Sequence, residues 1–286
     1  MIKVNWHKSQ NFGDQLNPYI LKKLWDLESE YVGEYDRETP HLMLLGSILN
    51  EANNYTTVLG AGIVSDTLEF SPDANYVSVR GNLTKNRISE MGVDVSDILT
   101  GDPGIILPKI YAPLKEKKYA LTIAPHWIDY AKALNFFPDY NVLSLKMPSS
   151  DFFTKNLTEE DKKTVSKQFE ERYIEFLIDE ISRSKVVVCS SLHALVIAHA
   201  YGVKTVWAKF SDDIIGDGYK FRDYFSAHTE NYDSIECLDF SSSVLSEDEI
   251  KERSFELDVS READIIYESL RNYKEKLTED YFKCEL

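Results

Sequence analysis

The sequence predicts an α/β fold of two domains built on parallel sheets, and three observations carry that expectation. Short apolar runs alternate with helix-spaced segments, the pattern of a doubly wound sheet. Glycines, Arg80 and Asp102 stand just beyond the carboxyl ends of those runs, where such sheets place their ligands. At 286 residues the chain exceeds the usual size of one domain, although a single α/β barrel could also use this length.

In chain order, Ile2–Trp6 reads as the first strand, followed by the polar turn Ser9–Asp14. A helix follows, with Pro18 near its start and Ile20, Leu21, Leu24 and Leu27 on an apolar face. Leu42–Leu45, Thr57–Leu59 and Tyr76–Val79 read as strands ending at Gly46-Ser47, Gly60-Ala61-Gly62 and Arg80. Asn82–Met91 reads as a helix closed by Gly92, and Ile98–Leu99 leads into the loop Thr100–Gly104. Pro108–Lys118, with two prolines and a charged stretch, is the expected linker. The expected domains are therefore residues 1–112 and 113–286.

The second half restarts with strands at Leu121–Ala124 and Asn141–Leu145, then a loop over Lys146–Asn156. Thr158 and Asp161 resemble a capping box, and Val165, Phe169, Tyr173, Phe176, Leu177 and Ile181 recur at helical spacing behind it. Lys185–Cys189 is a buried strand, Ser190–Tyr201 a short helix stopped by Gly202, and Val203–Trp207 the next strand. A last helix begins near Ser260, with Ala263, Ile266, Tyr267 and Leu270 facing inward and free to pack back on the rest.

Composition excludes several classes. Hydrophobic residues make up 43% and aromatics 12%, enough for real cores and against disorder. The net charge is −16, which is no footprint for nucleic acid. Residues 228–286 hold 17 Asp and Glu against 7 Lys and Arg, so the acidity is concentrated there and a basic pocket elsewhere can still take an anion. Cys189, Cys237 and Cys284 give neither a disulfide framework nor a CxxC metal site. No apolar run approaches a membrane span, and Met1-Ile2-Lys3-Val4 starts a strand and not a secretion signal. A cytoplasmic location is expected, with peripheral contact at the inner face of the membrane left open. The oligomeric state is also open.

Candidate site residues follow from placement. Cys189-Ser190-Ser191-Leu192-His193 lies where a strand turns into a helix, whose first amides favour an anion. Ser190 or Ser191 could cap that helix or donate to a phosphate, and His193 could move a proton or simply pack. Arg80 could grip a carboxylate or phosphate, or make a salt bridge. Lys209, past the next strand, could neutralise a leaving phosphate or lie on the surface. Asn11, Asp14, Asp102, His126 and Trp127 could contact sugar hydroxyls or a sugar face. Turn capping for the acids and core packing for the tryptophan are the plainer uses. Gly60-Ala61-Gly62 lacks the full dinucleotide fingerprint, and no metal site is expected.

Six motifs in order resemble the polysaccharide pyruvyl transferase family. They are Asn11-Phe12-Gly13-Asp14, Gly60-Ala61-Gly62, Ser78-Val79-Arg80, Thr100-Gly101-Asp102-Pro103, Ser190–Leu195 and Lys209-Phe210. The resemblance implies two Rossmann-like domains arranged like the two-domain glycosyltransferases, the first on the acceptor side and the second on the donor side. It implies phosphoenolpyruvate as co-substrate, no cofactor, and a glycan acceptor, lipid-linked in typical members. The product would be a pyruvate ketal on a sugar of a surface-glycan precursor. By resemblance the family's donor-binding arginine falls on Arg80, its motif histidine on His193 and its donor-binding lysine on Lys209; the helix start at Ser190 and Ser191 is expected to hold the donor's remaining charge, with His193 as the catalytic acid. Where the family often has arginine, this chain has Ser191; Arg183, Lys185 or Arg222 could supply the charge. A nucleotide-sugar-dependent glycosyltransferase and a noncatalytic glycan-binding protein are the alternative readings.

Overall fold

The computed structural model describes residues 1–33, 38–114, 116–155 and 157–283. The readings of Cys284, and of Lys115 and Asn156 within their loops, fall outside the described residues.

The first sheet comprises β1 (Ile2–Val4), β2 (Ser29–Tyr31), β3 (His41–Met43), β4 (Thr56–Leu59), β5 (Asn75–Val79) and β6 (Leu99–Thr100). Its order is β2-β1-β3-β4-β5-β6. Helices α1 (Phe12–Trp25) and α2 (Asn82–Glu90) belong to this half. A 3-10 turn, Pro103–Lys109, closes it. The second sheet has the order β11-β10-β9-β7-β8. Its strands are β7 (Tyr119–Ala124), β8 (Asn141–Val142), β9 (Ser184–Cys189), β10 (Lys204–Lys209) and β11 (Leu238–Asp239). Between and after them run α3 (Tyr130–Phe136), α4 (Asp151–Thr154), α5 (Glu159–Ser182), α6 (Leu192–Ala200), α7 (Tyr219–Ser226), α8 (Glu247–Glu252) and α9 (Ser260–Lys283). Every pairing among these strands is parallel. The fold is therefore α/β with two parallel sheets flanked by helices, as the alternation predicts.

The two halves share one core. A single apolar cluster joins Val4 and Leu42 of the first sheet to Val187 and Cys189 of the second, through Phe12, Leu16 and Ile20 of α1 and Leu195 and Ile197 of α6. Each such side chain contributes about 1.5–3 kcal/mol on leaving water. Helix α9 returns to the first half, burying Ala263, Ile266 and Leu270 and pairing Asp264 with Lys109 at 2.5 Å.

Two sequence readings shift. The buried face of α5 is Ile174, Leu177, Ile178 and Ile181, while Phe176 is exposed. The helix covers the core only with its last turns, so the apolar stripe reads correctly only there. Helices α3, α4, α7 and α8 and strands β2 and β11 have no counterpart in the sequence reading, and the short helix α4 replaces part of the loop expected over Lys146–Asn156. No helix among the described residues is long and apolar enough to cross a membrane.

A polar clip also joins the halves. Asp223 of α7 accepts hydrogen bonds from the Thr84 amide at 2.8 Å and the Thr84 hydroxyl at 2.7 Å. The Ser226 hydroxyl accepts from the Asn82 amide at 2.8 Å. The N-terminus of α2, preceded by Gly81 with no capping side chain of its own, is thus capped from the other half of the molecule.

Candidate active site

The site lies beyond the carboxyl ends of β9 and β10, where open parallel sheets place their ligands. A cavity of about 590 Å³ is lined there by Ser190, Trp207, Lys209, Ser211, Lys220 and Arg222, with the loop from Asp212 to Gly218 as one wall.

His193 is buried in the first turn of α6. Its imidazole occupies the place a side chain at Gly13 would take, so only glycine lets the start of α1 meet the start of α6. Nδ1 faces Gly13, and Nε2 is buried with no hydrogen-bond partner. Burial, then the charges of Arg80 and Lys220, push its pKa down to about 3. The ring is therefore neutral near neutral pH. Gly13→Ala is expected to displace the ring and lower turnover at least tenfold without unfolding the chain, as steady-state rates and a melting curve would report.

Arg80 is held behind the cavity. It is 1% exposed, and its Nε donates to Asp223 at 2.9 Å, its NH1 to Ser47 at 2.6 Å and its NH2 to the Ile63 carbonyl at 2.5 Å. A side chain on Gly62 would lie 2.6 Å from Cζ, so the glycine after β4 makes room for the guanidinium. Arg80 thus acts on His193 through charge.

Lys220, which the sequence reading did not single out, links the group. It is half-buried in the first turn of α7, lines the cavity, and has no carboxylate within ion-pair distance among the described residues. Burial, then Arg80, lower its pKa to about 8, while Asp14 opposes the shift. Its charge is felt by His193 and His126 as well. Arg222, one of the three cations considered as replacements for the family arginine, also lines the cavity. Arg183 and Lys185 do not: they stand at the opposite end of β9, and Arg183 pairs with Glu180.

The other candidates divide. Lys209 lines the cavity, but its ammonium is already shared by Asp212 at 2.7 Å and Asp239 at 3.3 Å. Ser191 is the N-cap residue of α6 and makes no side-chain cap bond. The Ser190 hydroxyl accepts from the His126 amide at 2.9 Å. Asp14 accepts from Ser9 at 2.6 Å and Asn11 at 3.2 Å, and burial raises its pKa. His126 is pushed down to about 4 by burial and then by Lys220. Asp102 is buried away from the cavity, accepting from the Gly104 amide at 2.8 Å, with its pKa raised to about 6 by burial. Its place is a turn cap. Trp127 is 46% exposed, which corrects the expectation that it packs in the core. Cys189 is buried and its thiol pushed up by burial, which leaves it unreactive. Among the described residues no group of three His, Cys, Asp or Glu could hold a metal ion.

The family described as polysaccharide pyruvyl transferase matches residues 31–209. Uncharacterized protein L143 of Acanthamoeba polyphaga mimivirus is 30% identical over 228 residues, covering 77% of this chain and 71% of that protein. A functionally uncharacterized protein from Klebsiella pneumoniae has a crystal structure that superposes with a TM-score of 0.48 at 11% identity, covering 83% of this chain and 92% of that one. With more than half of its length matched, the chain belongs to the polysaccharide pyruvyl transferase family.

Proposed function

We propose that the cavity binds phosphoenolpyruvate and that the protein transfers its pyruvyl group, as a cyclic ketal, to a sugar of a surface-glycan precursor. The observation that supports this most is Lys220, an unpaired ammonium on the cavity wall beside a neutral, buried histidine. An unpaired cation held partly out of water gains by receiving an anion. Lys220 and Arg222, both on the cavity wall, hold the donor's phosphate and carboxylate. Arg80 supports them from behind. Lys209 contributes less, because Asp212 and Asp239 already neutralise it. Residues 1–112 then present the acceptor side through Asn11 and Asp14, and residues 113–286 the donor side.

Donor binding changes His193. An arriving anion offsets the charges of Arg80 and Lys220 and, as a counter-charge to the buried imidazolium, opposes the burial that is the larger cause of its low pKa, so Nε2 takes up a proton. That proton goes to the donor's methylene carbon, which becomes the methyl group. The central carbon, now cation-like, forms a bond to one sugar hydroxyl oxygen, and its bond to the phosphate oxygen breaks. A second sugar hydroxyl closes the ketal in an intramolecular step. Of the two hydroxyl protons, one replaces the proton consumed and one leaves with phosphate.

Calorimetric titration in buffers of different ionisation enthalpy should show phosphoenolpyruvate binding with uptake of a proton near neutral pH. His193→Asn should abolish that uptake, keep donor affinity within about threefold, and lower kcat by roughly 10²–10⁴. Undiminished turnover in this variant would remove His193 as the acid. Binding of a nucleoside diphosphate in place of phosphoenolpyruvate would replace the reading with nucleotide-sugar transfer.

A further inference from the structure

Asp129, at the end of the turn Trp127–Asp129, lies behind the cavity wall opposite in character to Lys220. It is 2% exposed. Its Oδ1 accepts from the Ser211 hydroxyl at 2.5 Å, a short charge-assisted bond. Its Oδ2 is buried with no hydrogen-bond partner. Burial raises the carboxyl's pKa, and the Ser211 hydroxyl, then Lys132 and last the Ser190 hydroxyl act against that rise. Both serines line the cavity. Each also accepts a backbone N–H: Ser190 from His126 at 2.9 Å and Ser211 from Asp213 at 3.2 Å.

A hydroxyl has one proton and two lone pairs. The Ser211 proton is committed to Oδ1, and Oδ2 is a buried acceptor left open for a second hydroxyl proton. One lone pair on each serine is taken by a backbone amide. What each serine has left for the cavity is a lone pair. A wall of this kind repels an oxyanion and accepts hydrogen bonds from neutral hydroxyls.

We propose that Asp129 is a positioning residue that turns the Ser190 and Ser211 protons away from the cavity, so that the two serine oxygens receive the two reacting hydroxyls of the acceptor sugar. This reverses the expectation that Ser190 donates to the phosphoenolpyruvate phosphate, and it gives the cavity a direction. The anion lies toward Lys220 and Arg222; the reacting edge of a sugar presented from the side of Asn11 and Asp14 lies toward Ser190 and Ser211. That the hydroxyl partner is a sugar rests on the transfer reading above. The polarity of the wall does not.

The test is titration with inorganic phosphate. In Asp129→Asn the amide can accept from only one serine, and its NH2 group forces the other proton toward the cavity. Phosphate is then expected to bind about tenfold tighter than to the unaltered protein, the effect of one added donor to an anion. A residue that merely supports the fold would give weaker binding. Unchanged or weaker phosphate binding in folded Asp129→Asn overturns the proposal. Should that variant not fold, Ser190→Ala and Ser211→Ala decide. Phosphate affinity within twofold of the unaltered protein supports the proposal, and a loss near tenfold overturns it. Because phosphate binding needs no turnover, an enzyme inactive toward phosphoenolpyruvate would sink the transfer reading and still leave this test decisive.

Discussion

Lys220→Ala is expected to weaken phosphoenolpyruvate binding by roughly a hundredfold, the usual scale for removing one partner of a desolvated charge pair. Lys209→Ala is expected to cost no more than about threefold, since an exposed lysine already paired with two carboxylates adds little. Direct titration of the donor into the two variants separates the roles. The same lysine sets an upper pH limit. Its pKa in the free protein is lowered to about 8, so it is charged below that value and loses its charge as pH rises through it. The profile of kcat/KM, which reports the free enzyme, should fall above about pH 8. In Lys220→Arg, which stays charged, that fall should move upward or vanish. A matching hundredfold loss in Lys209→Ala would show that the cations had been assigned the wrong way round.

Asp223→Ala carries the largest expected effect on stability. Asp223 is 0% exposed and meets Arg80 Nε at 2.9 Å, so removing it leaves a buried guanidinium without its counter-charge. Such a loss costs about 3–5 kcal/mol. The uncapped start of α2 adds about 1 kcal/mol. For a chain of this size the melting temperature should drop on the order of 10 °C. Asp223→Asn, which keeps the shape and part of the hydrogen bonding to Thr84, should cost less. A melting temperature unchanged in Asp223→Ala would mean that Arg80 finds other partners and that the clip between α7 and α2 is not structural.

How much of this the sequence could show depends on the range of each signal. Strands β3, β4, β7, β9 and β10 are short apolar runs whose character is local, and they read directly. The placement of Arg80 and His193 past strand ends is also local, and the structure puts both residues just beyond strands, Arg80 after β5 and His193 after β9. Helix α7 did not read, because Tyr219-Lys220-Phe221-Arg222 alternates aromatic and charged residues as a strand would. Its eight residues are too few for the helical period to assert itself. With α7 unread, Lys220 had no address. The pairing of Arg80 with Asp223 spans 143 residues, and no spacing rule reaches that far. Edge strand β2 is largely exposed and has no apolar alternation, so its pairing with β1 defines it. Helix α8 is different: Ser246 and Glu249 form a full capping box, a local signal legible in the sequence.

The shared core and the clip between α7 and α2 bear on how the site works. Cations from α7 and the start of α1 are held around His193 by contacts that span both halves. Positioning therefore depends on the whole molecule, which is why changes at Gly13 or Asp223 should be felt at the cavity.

The most direct measurement is release of inorganic phosphate from phosphoenolpyruvate, with and without lipid-linked or free glycan acceptors, followed by mass analysis of the acceptor. Phosphate should appear only when an acceptor is present, the acceptor should carry a pyruvate ketal, and Lys220→Ala should suppress both at low donor concentration. Folded protein that leaves phosphoenolpyruvate intact across a broad acceptor set, or that releases nucleotide from a nucleotide sugar instead, would contradict the assignment.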